Sequence, residues 1–321
     1  MVLFCAWKKL RQRGVLGINR RNADCILDQN PRSLFANVDN KLQMHNLCRR
    51  IGVPTPEIAA IIDSHRAIRR LGESLADADD FVLKPNRGAG GRGITVITGR
   101  EGAAFVRSTG ERLQLDDLRQ RAADIVSGIY SFGNQPDSAL IQYRVQLHAA
   151  LAPYCFHGIP DVRVVLYRGE PAMAMLRLPT RASQGRSNLH QGGLGAGIDL
   201  ATGSTFHAIQ RERFIARHPD TGASLLGVAV PCWHEVLEMS RRVARAAGLG
   251  LVGVDIVIDA RRGPMLLEAN ARPGLAIQLA NNAGLLPRFA EIESRQASMP
   301  WTLKSSNAQC KVAAVRSQFG A

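Results

Sequence analysis

The 321-residue chain lacks Cys-x-x-Cys, Gly-Lys-Ser/Thr and Gly-x-Ser-x-Gly, and it has no apolar run long enough to span a bilayer. Each absence closes off a class of function. Six scattered cysteines (Cys5, Cys25, Cys48, Cys155, Cys232, Cys310) without a close pair argue against a zinc site or a disulfide framework, and imply reduced thiols in a cytoplasmic protein. Without Gly-Lys-Ser/Thr there is no Walker loop. There is no nucleophile elbow, no Cys-His pairing can be argued, and the sequence places no acid or nucleophile near His190, so covalent hydrolysis has no candidate. Only 5% of residues are aromatic, and no basic run is interleaved with them, so sequence-specific nucleic-acid binding is not expected. The first residues place Lys8 and Lys9 after an apolar stretch rather than before it, unlike a secretory signal. Weak surface attachment and homo-oligomer formation stay open.

What is present is charge of one sign. A formal net charge of +14 implies attraction to polyanions such as nucleotides, acidic peptides, nucleic acid or anionic lipid. The 45% hydrophobic content with 30 Gly and 15 Pro fits a folded chain with many turns. Residues 1–38 are basic and irregular, and no core is assigned to them. A helix is predicted from a cap at Asp39, with Lys41 in its first turn and Gly52 ending it. A second helical segment is expected from about Pro56 to Leu71. Helices and strands then alternate without the regular beat of parallel βαβ units, which favours an α+β arrangement of two lobes. The expected divisions are 1–78 (basic segment and helices), 79–145 (small lobe with the glycine loop), 146–290 (large lobe with the metal hairpin) and 291–321 (tail).

Two stretches carry chemistry. Gly253 to Pro273 reads as two strands joined by a Gly-Pro turn, and closure about Arg261–Arg262 sets Asp255 opposite Glu268. Asn270 shares the face of Glu268. Two carboxylates and an amide oxygen form a hard-oxygen cage of the kind that holds magnesium with substrate phosphates. The alternative is a solvated face, opposed by the apolar neighbours Val254, Ile256, Val257 and Ile258. The second stretch places Lys84 on a strand just before Gly88, Gly90, Gly91 and Gly93. Glycines let backbone N–H groups approach phosphate, and a lysine adds a point charge. A merely flexible turn is the other reading. Between them lie Asp161-Val-Arg163, which could form an internal ion pair, then Arg177 and the polar run Arg186-Ser187-Asn188-Leu189-His190-Gln191-Gly192-Gly193.

These pieces in this order resemble the ATP-grasp superfamily, and within it the RimK-type α-L-glutamate ligases, over about residues 39–287. The resemblance implies an ATP-grasp fold of two α+β lobes clasping ATP, with a short irregular N-terminal segment. It implies that Lys41 and Lys84 bind phosphates, that Gln142 and Tyr143 form the adenine hinge and that Asp161 reaches the nucleotide. Arg186, Ser187 and Asn188 would line the nucleotide and acyl-phosphate region. Asp255, Glu268 and Asn270 would hold Mg2+, with Mn2+ as a substitute. Arg163 and Arg272 are the candidates for stabilising the transferring phosphoryl group. The chain departs from the pattern at Gln142, where relatives usually carry an acid, at Arg272, where they often carry a small residue, and in the long run from Gln146 to Pro160. Fewer than 40 residues precede the Asp39 helix, too few for the usual preceding substrate domain.

The implied activity is ADP-forming carboxylate–amine ligation through an acyl phosphate. Its partners would be ATP, an amino acid such as glutamate, and a carboxylate acceptor that is a peptide, a protein or a small molecule. An ATP-grasp phosphotransferase and a nucleotide- or RNA-binding scaffold are the rivals. Neither the amino acid nor the acceptor can be read from the residues.

Overall fold

The computed structural model describes residues 8–88 and 90–298, and its strands fall into two antiparallel sheets. The smaller contains β1 (Ile58–Ile62), β2 (Phe81–Pro85), β3 (Thr95–Glu101), β4 (Ala104–Arg107), β5 (Arg112–Leu113) and β6 (Ala139–Gln142), in the order β1-β6-β2-β3-β4-β5. The larger contains β7 (Asp161–Tyr167), β8 (Glu170–Leu178), β9 (Leu194–Ile198), β10 (Thr205–Gln210), β11 (Arg213–Phe214), β12 (Leu251–Asp259) and β13 (Gly263–Asn270), in the order β11-β10-β9-β8-β7-β12-β13. Every pairing is antiparallel, so the α+β expectation holds.

The smaller sheet buries Leu83, Ile97 and Ile141 against Leu118, Ala122 and Ile125 of a helix at Leu115–Val126. Side chains alternate along each strand of the larger sheet, which gives it two apolar faces. On one, Val162, Val164, Val254 and Ile256 meet Val236, Met239 and Val243, which recur at helical spacing on the helix Trp233–Ala247. On the other, Val165, Tyr167, Met173 and Leu251 meet Phe289 and Ile292 of the helix Leu285–Ala297.

Three features differ from the sequence reading. Residues Ile58–Ile62 form an edge strand on β6 where a helix was expected, and a helix occupies only His65–Arg69. Three β-branched isoleucines in five positions suit a strand, and pairing with β6 settles a stretch whose periodicity is ambiguous. The helix Lys41–Arg50 is capped by Asn40, whose Oδ1 accepts the Gln43 N–H at 3.1 Å, not by Asp39.

The N-terminal segment does have a core. Leu16, Cys25 and Ile26 are buried in the second face of the larger sheet. Asn30 stands in for a strand there: its Nδ2 donates to Leu251 O (2.7 Å) and Ala271 O (3.1 Å), and its Oδ1 accepts Leu251 N–H (2.9 Å). Cys25, Cys48, Cys155 and Cys232 are free thiols, while Cys5, Cys310, Ala89 and the tail beyond Ser298 lie outside the described residues. Among the described residues no helix is long and apolar enough to cross a membrane.

Candidate active site

The β12–β13 hairpin closes in the expected register, with Asp255 opposite Glu268 and Gly253 opposite Asn270. Asp255 also faces Arg163 on β7, and Asp161 faces Arg177 on β8. Cross-strand neighbours point to the same side of a sheet, so these charges share one row at the end of the face whose other end is apolar.

Within that row the ion pairs alternate. Arg163 donates to both oxygens of Asp255, from Nε (2.7 Å) and Nη2 (2.5 Å). Arg177 donates from Nε to Asp161 (2.5 Å) and from Nη2 to Asp255 (2.6 Å). Arg163 therefore reaches across to β12 rather than to Asp161 on its own strand. Burial pushes the Asp255 carboxyl up, but Arg163 and Arg177 outweigh it and hold it down at about 2. Asp161 has a smaller share of one guanidinium, and burial lifts it to about 7. Arg177 is the residue whose bridging role sequence reasoning missed. The β7–β8 hairpin closes about Arg168–Gly169, which alone would set position 176 opposite 161, and a bulge between Val165 and Leu166 shifts the register by one to bring Arg177 there.

The lysines sit across from this row. Lys41 begins its helix and donates from Nζ to Gly88 O (2.7 Å) and Asn86 O (3.2 Å), which ties the helix to the glycine loop. Lys84 is only 5% exposed, and no hydrogen bond or ion pair to its ammonium occurs among the described residues. Burial, then the like charge of Lys41, pushes it down to about 7. Both lysines line a cavity with Gln142 and Glu268. A second residue not foreseen is Asp137, whose Oδ2 accepts the Arg87 N–H at 2.8 Å and anchors the start of the loop.

Within the loop, Gly90, Gly91 and Gly93 have positive φ. At Gly93 a Cβ would also lie 2.6 Å from the Tyr130 ring, and at Gly88 one would lie 2.2 Å from Pro85 Cγ. No other residue fits either place.

Gln142 and Tyr143 lie where the smaller sheet passes toward the larger one. Gln142 Nε2 donates to Pro56 O (2.9 Å), and Tyr143 OH donates to Asp259 Oδ2 (3.1 Å) with Arg262 stacked 4.0 Å over its ring. Ser187 Oγ donates to Ile159 O (2.7 Å), and Asn188 Oδ1 caps a short turn through His190 N–H (3.0 Å). Arg186 runs beside Gly91, and Gln191 Nε2 donates to Gly90 O (3.1 Å), so the polar run touches the glycine loop. Arg272 stands apart from the charged row. It lies over the Phe35 ring (4.7 Å) and 4.0 Å from Asp39.

A buried ammonium without an anion is costly unless an anion comes to it. The Lys84 site therefore fits phosphate. For a hard divalent cation the donors are less complete. Among the described residues no three acids, histidines or cysteines converge. Both Asp255 oxygens are engaged by arginines, and Asn270 Oδ1 accepts the Arg272 N–H (2.8 Å). Glu268 is 38% exposed, with its nearest cation, Arg163, at 4.0 Å. One partly exposed carboxylate, Glu268, with Asp255 beside it meets the usual demand of magnesium, which takes one or two carboxylates plus substrate oxygens.

Comparison with known families places this arrangement. The sugar-transfer associated ATP-grasp family matches residues 20–294. The chain belongs to that family. Among curated proteins this ATP-grasp chain is similar to a probable alpha-L-glutamate ligase of Xanthomonas axonopodis pv. citri (strain 306), 26% identical over 246 residues, covering 77% of this chain and 61% of the relative. It is also similar to the ribosomal protein bS6--L-glutamate ligase of Salmonella newport (strain SL254), 25% identical over 268 residues, covering 83% and 66%. The expected likeness to glutamate ligases is met, although the chain spans only about three fifths of the first of these relatives. Of solved structures, D-cycloserine synthetase DcsG aligns at 16% identity with a TM-score of 0.45, covering 83% of this chain and 73% of that one.

Proposed function

We propose that this ATP-grasp protein is an ADP-forming ligase that joins a carboxylate to an amine through an acyl phosphate. The observation that carries the reading is the unpartnered, buried Lys84 ammonium lining one cavity with the Glu268 carboxylate. A cation that needs phosphate thus sits beside an acid that can hold a metal.

In this reading Lys41, Lys84 and the glycine loop hold the nucleotide phosphates, and Gln142 and Tyr143 border the adenine. Asp161, Arg186, Ser187 and Asn188 line the remainder of the nucleotide and acyl-phosphate region. Glu268, supported by Asn270 and Asp255, holds Mg2+, and Mn2+ would serve the same donors. When bound, the metal neutralises the β- and γ-phosphate oxygens. The two lobes, 79–145 and 146–290, would close on the nucleotide from either side.

An acceptor carboxylate oxygen attacks the γ-phosphorus, and ADP leaves. The amine nitrogen then attacks the acyl carbon, phosphate leaves with the carbon–oxygen bond, and a proton is released. Such transfers depend chiefly on positioning and charge neutralisation. Arg163, held against Asp255, presents fixed positive charge to the transferring group. Arg272 would swing from Phe35 to join it. Glutamate is the first amino acid to try, because the curated relatives carry it in their names. The free thiols support a reducing, cytoplasmic setting.

The test is ADP and phosphate formation that requires both an amino acid and a carboxylate acceptor, with hydroxamate appearing when hydroxylamine replaces the amine. Glu268→Gln should abolish turnover while leaving thermal stability near wild type, since the side chain is partly exposed. AMP as product would refute the scheme. ADP formation without hydroxamate would point to a phosphotransferase, and salt-sensitive RNA binding without ATP turnover to a scaffold.

A further inference from the structure

The N-terminal segment encloses Arg272. Arg21 Nη1 donates to Pro273 O (3.0 Å) and Asn30 Nδ2 to Ala271 O (3.1 Å), so two side chains of one segment hold the carbonyls on either side of that residue. Phe35 and Asp39, a little further along the same segment, meet its guanidinium at 4.7 and 4.0 Å. The Arg272 N–H is tied as well, to Asn270 Oδ1 at 2.8 Å. The backbone around Arg272 is therefore held at three points, while its side chain is 55% exposed. The loop also borders the charged row. A Cβ at Gly253 would stand 2.9 Å from Pro273 Cβ, and one at Gly274 would stand 4.0 Å from Arg163 Nη1, so the chain lies against β12 and ends beside Arg163.

Local winding makes the double hold possible. Arg21 and Asn30 are nine residues apart, about two and a half turns of α-helix, which would put them on opposite faces. The stretch Arg21–Leu27 is a π-helix instead, and its wider turn brings both side chains to the face that meets the loop after β13. Such turns are rare and recur at functional sites. Arg21 is also a costly residue to place there. It is only 9% exposed, its Nε and Nη2 donors reach only Asn22 Oδ1 (3.1 and 2.8 Å), and no carboxylate pairs with it among the described residues. Burial, then the like charge of Arg272, disfavours its charged form. Packing alone would be served better by an apolar side chain.

We propose that Arg21 is a positioning residue for the transfer step: with Asn30 it clamps the backbone on both sides of Arg272, so that this guanidinium can leave Phe35 for the transferring phosphoryl group while the loop stays in place. The inference rests on the ligase reading and adds a part to it. Arg21 acts through Arg272 and not on the substrate, and the N-terminal segment becomes a wall of the active site.

The experiment compares Arg21→Met, which removes the tie to Pro273 O, with Arg21→Lys, which keeps one charged donor. For each full-length variant, hydrogen exchange at the Arg272 amide, Tm, calorimetric affinity for a non-hydrolysable ATP analogue with Mg2+, and the kinetics of ADP release are measured. Arg21→Met should speed exchange at Arg272 at least tenfold and lower kcat at least tenfold, with KM for ATP, analogue affinity and Tm near wild type, as expected when an interaction made only in the transition state is lost. Arg21→Lys should restore most of kcat. A fall in Tm and analogue affinity that accompanies the fall in kcat would mark a merely structural residue and overturn the proposal, as would unchanged exchange at Arg272. The ligase reading fails separately. If exchange quickens but kcat holds, the ligase stands and the positioning role falls. If the wild type releases no ADP with any amino acid and carboxylate supplied, the ligase falls, and the clamp on Arg272 is decided by exchange alone.

Discussion

Replacing Arg177 by methionine tests the charged row directly. Arg177 joins Asp161 to Asp255 at 2.5 and 2.6 Å, and all three side chains are largely buried. Removing one partner of a buried pair costs roughly 3–5 kcal/mol, because the remaining charge is uncompensated. Asp255 keeps Arg163, so most of the loss falls on Asp161. The folded pKa of Asp161, about 7, already lies above the unfolded value of 3.8, so its ionised form costs stability that is recovered as pH falls through 7. Without Arg177 that pKa rises further, and the variant recovers more stability on acidification than the wild type does. One further pKa unit corresponds to a narrowing of the deficit by about 1 kcal/mol between pH 8 and pH 5.5. Urea unfolding at the two pH values gives both numbers. A deficit below about 1 kcal/mol at pH 8, or one that does not shrink at pH 5.5, would refute the reasoning.

Two further perturbations address other parts of the molecule. Lys84→Met removes a buried ammonium that no hydrogen bond or ion pair among the described residues holds, so Tm should rise. Because burial depresses the Lys84 pKa from 10.5 to about 7, its charge weakens the fold most at low pH. The gain should therefore be larger at pH 6 than at pH 9 by scanning calorimetry, while affinity for an ATP analogue falls roughly 10- to 100-fold. Equal Tm gains at both pH values would contradict this. Asn30→Ala breaks three buried backbone contacts between the N-terminal segment and the β12–β13 hairpin. Chemical denaturation should show a loss of about 3 kcal/mol, and a neutral result would mean the segment is not part of the core.

The metal-type hairpin was legible because register and face follow from strand period alone. Closure about Arg261–Arg262 sets Asp255 opposite Glu268, and the structure reaches that pairing with Asp259 opposite Gly263 and a bulge between Asp255 and Ile256, which the sequence did not announce. The glycine loop was legible for a similar reason, since positive φ and close approach at Gly93 leave no alternative residue. The fate of Pro56–Leu71 was not, because helix and strand compete there on local propensity and only β6 decides between them. Nor was the core role of residues 8–38. Their apolar residues Leu16, Cys25 and Ile26 follow neither period, and they are buried by contacts with β7, β8 and the helix at Leu285–Ala297 far along the chain. Asn30, read only as a break before Pro31, is held by groups more than 220 residues away.

The ion pairing also bears on how a metal could be taken up. Arg163 and Arg177 fill three of the four lone-pair sites of the Asp255 carboxylate, so Asp255 opens fully to a cation only if Arg163 or Arg177 finds another anion. Transferring phosphates would be such an anion, since guanidinium binds phosphate as well as carboxylate. In the proposed reaction, metal and nucleotide would favour each other: phosphate oxygens would compete for Arg177, and Asp255 would then be more open to support a cation beside Glu268. Glu268 is the most exposed carboxylate of the row, with Arg163 at 4.0 Å and Asp255 as its neighbour, so in that reaction it would be the donor most open to the cation.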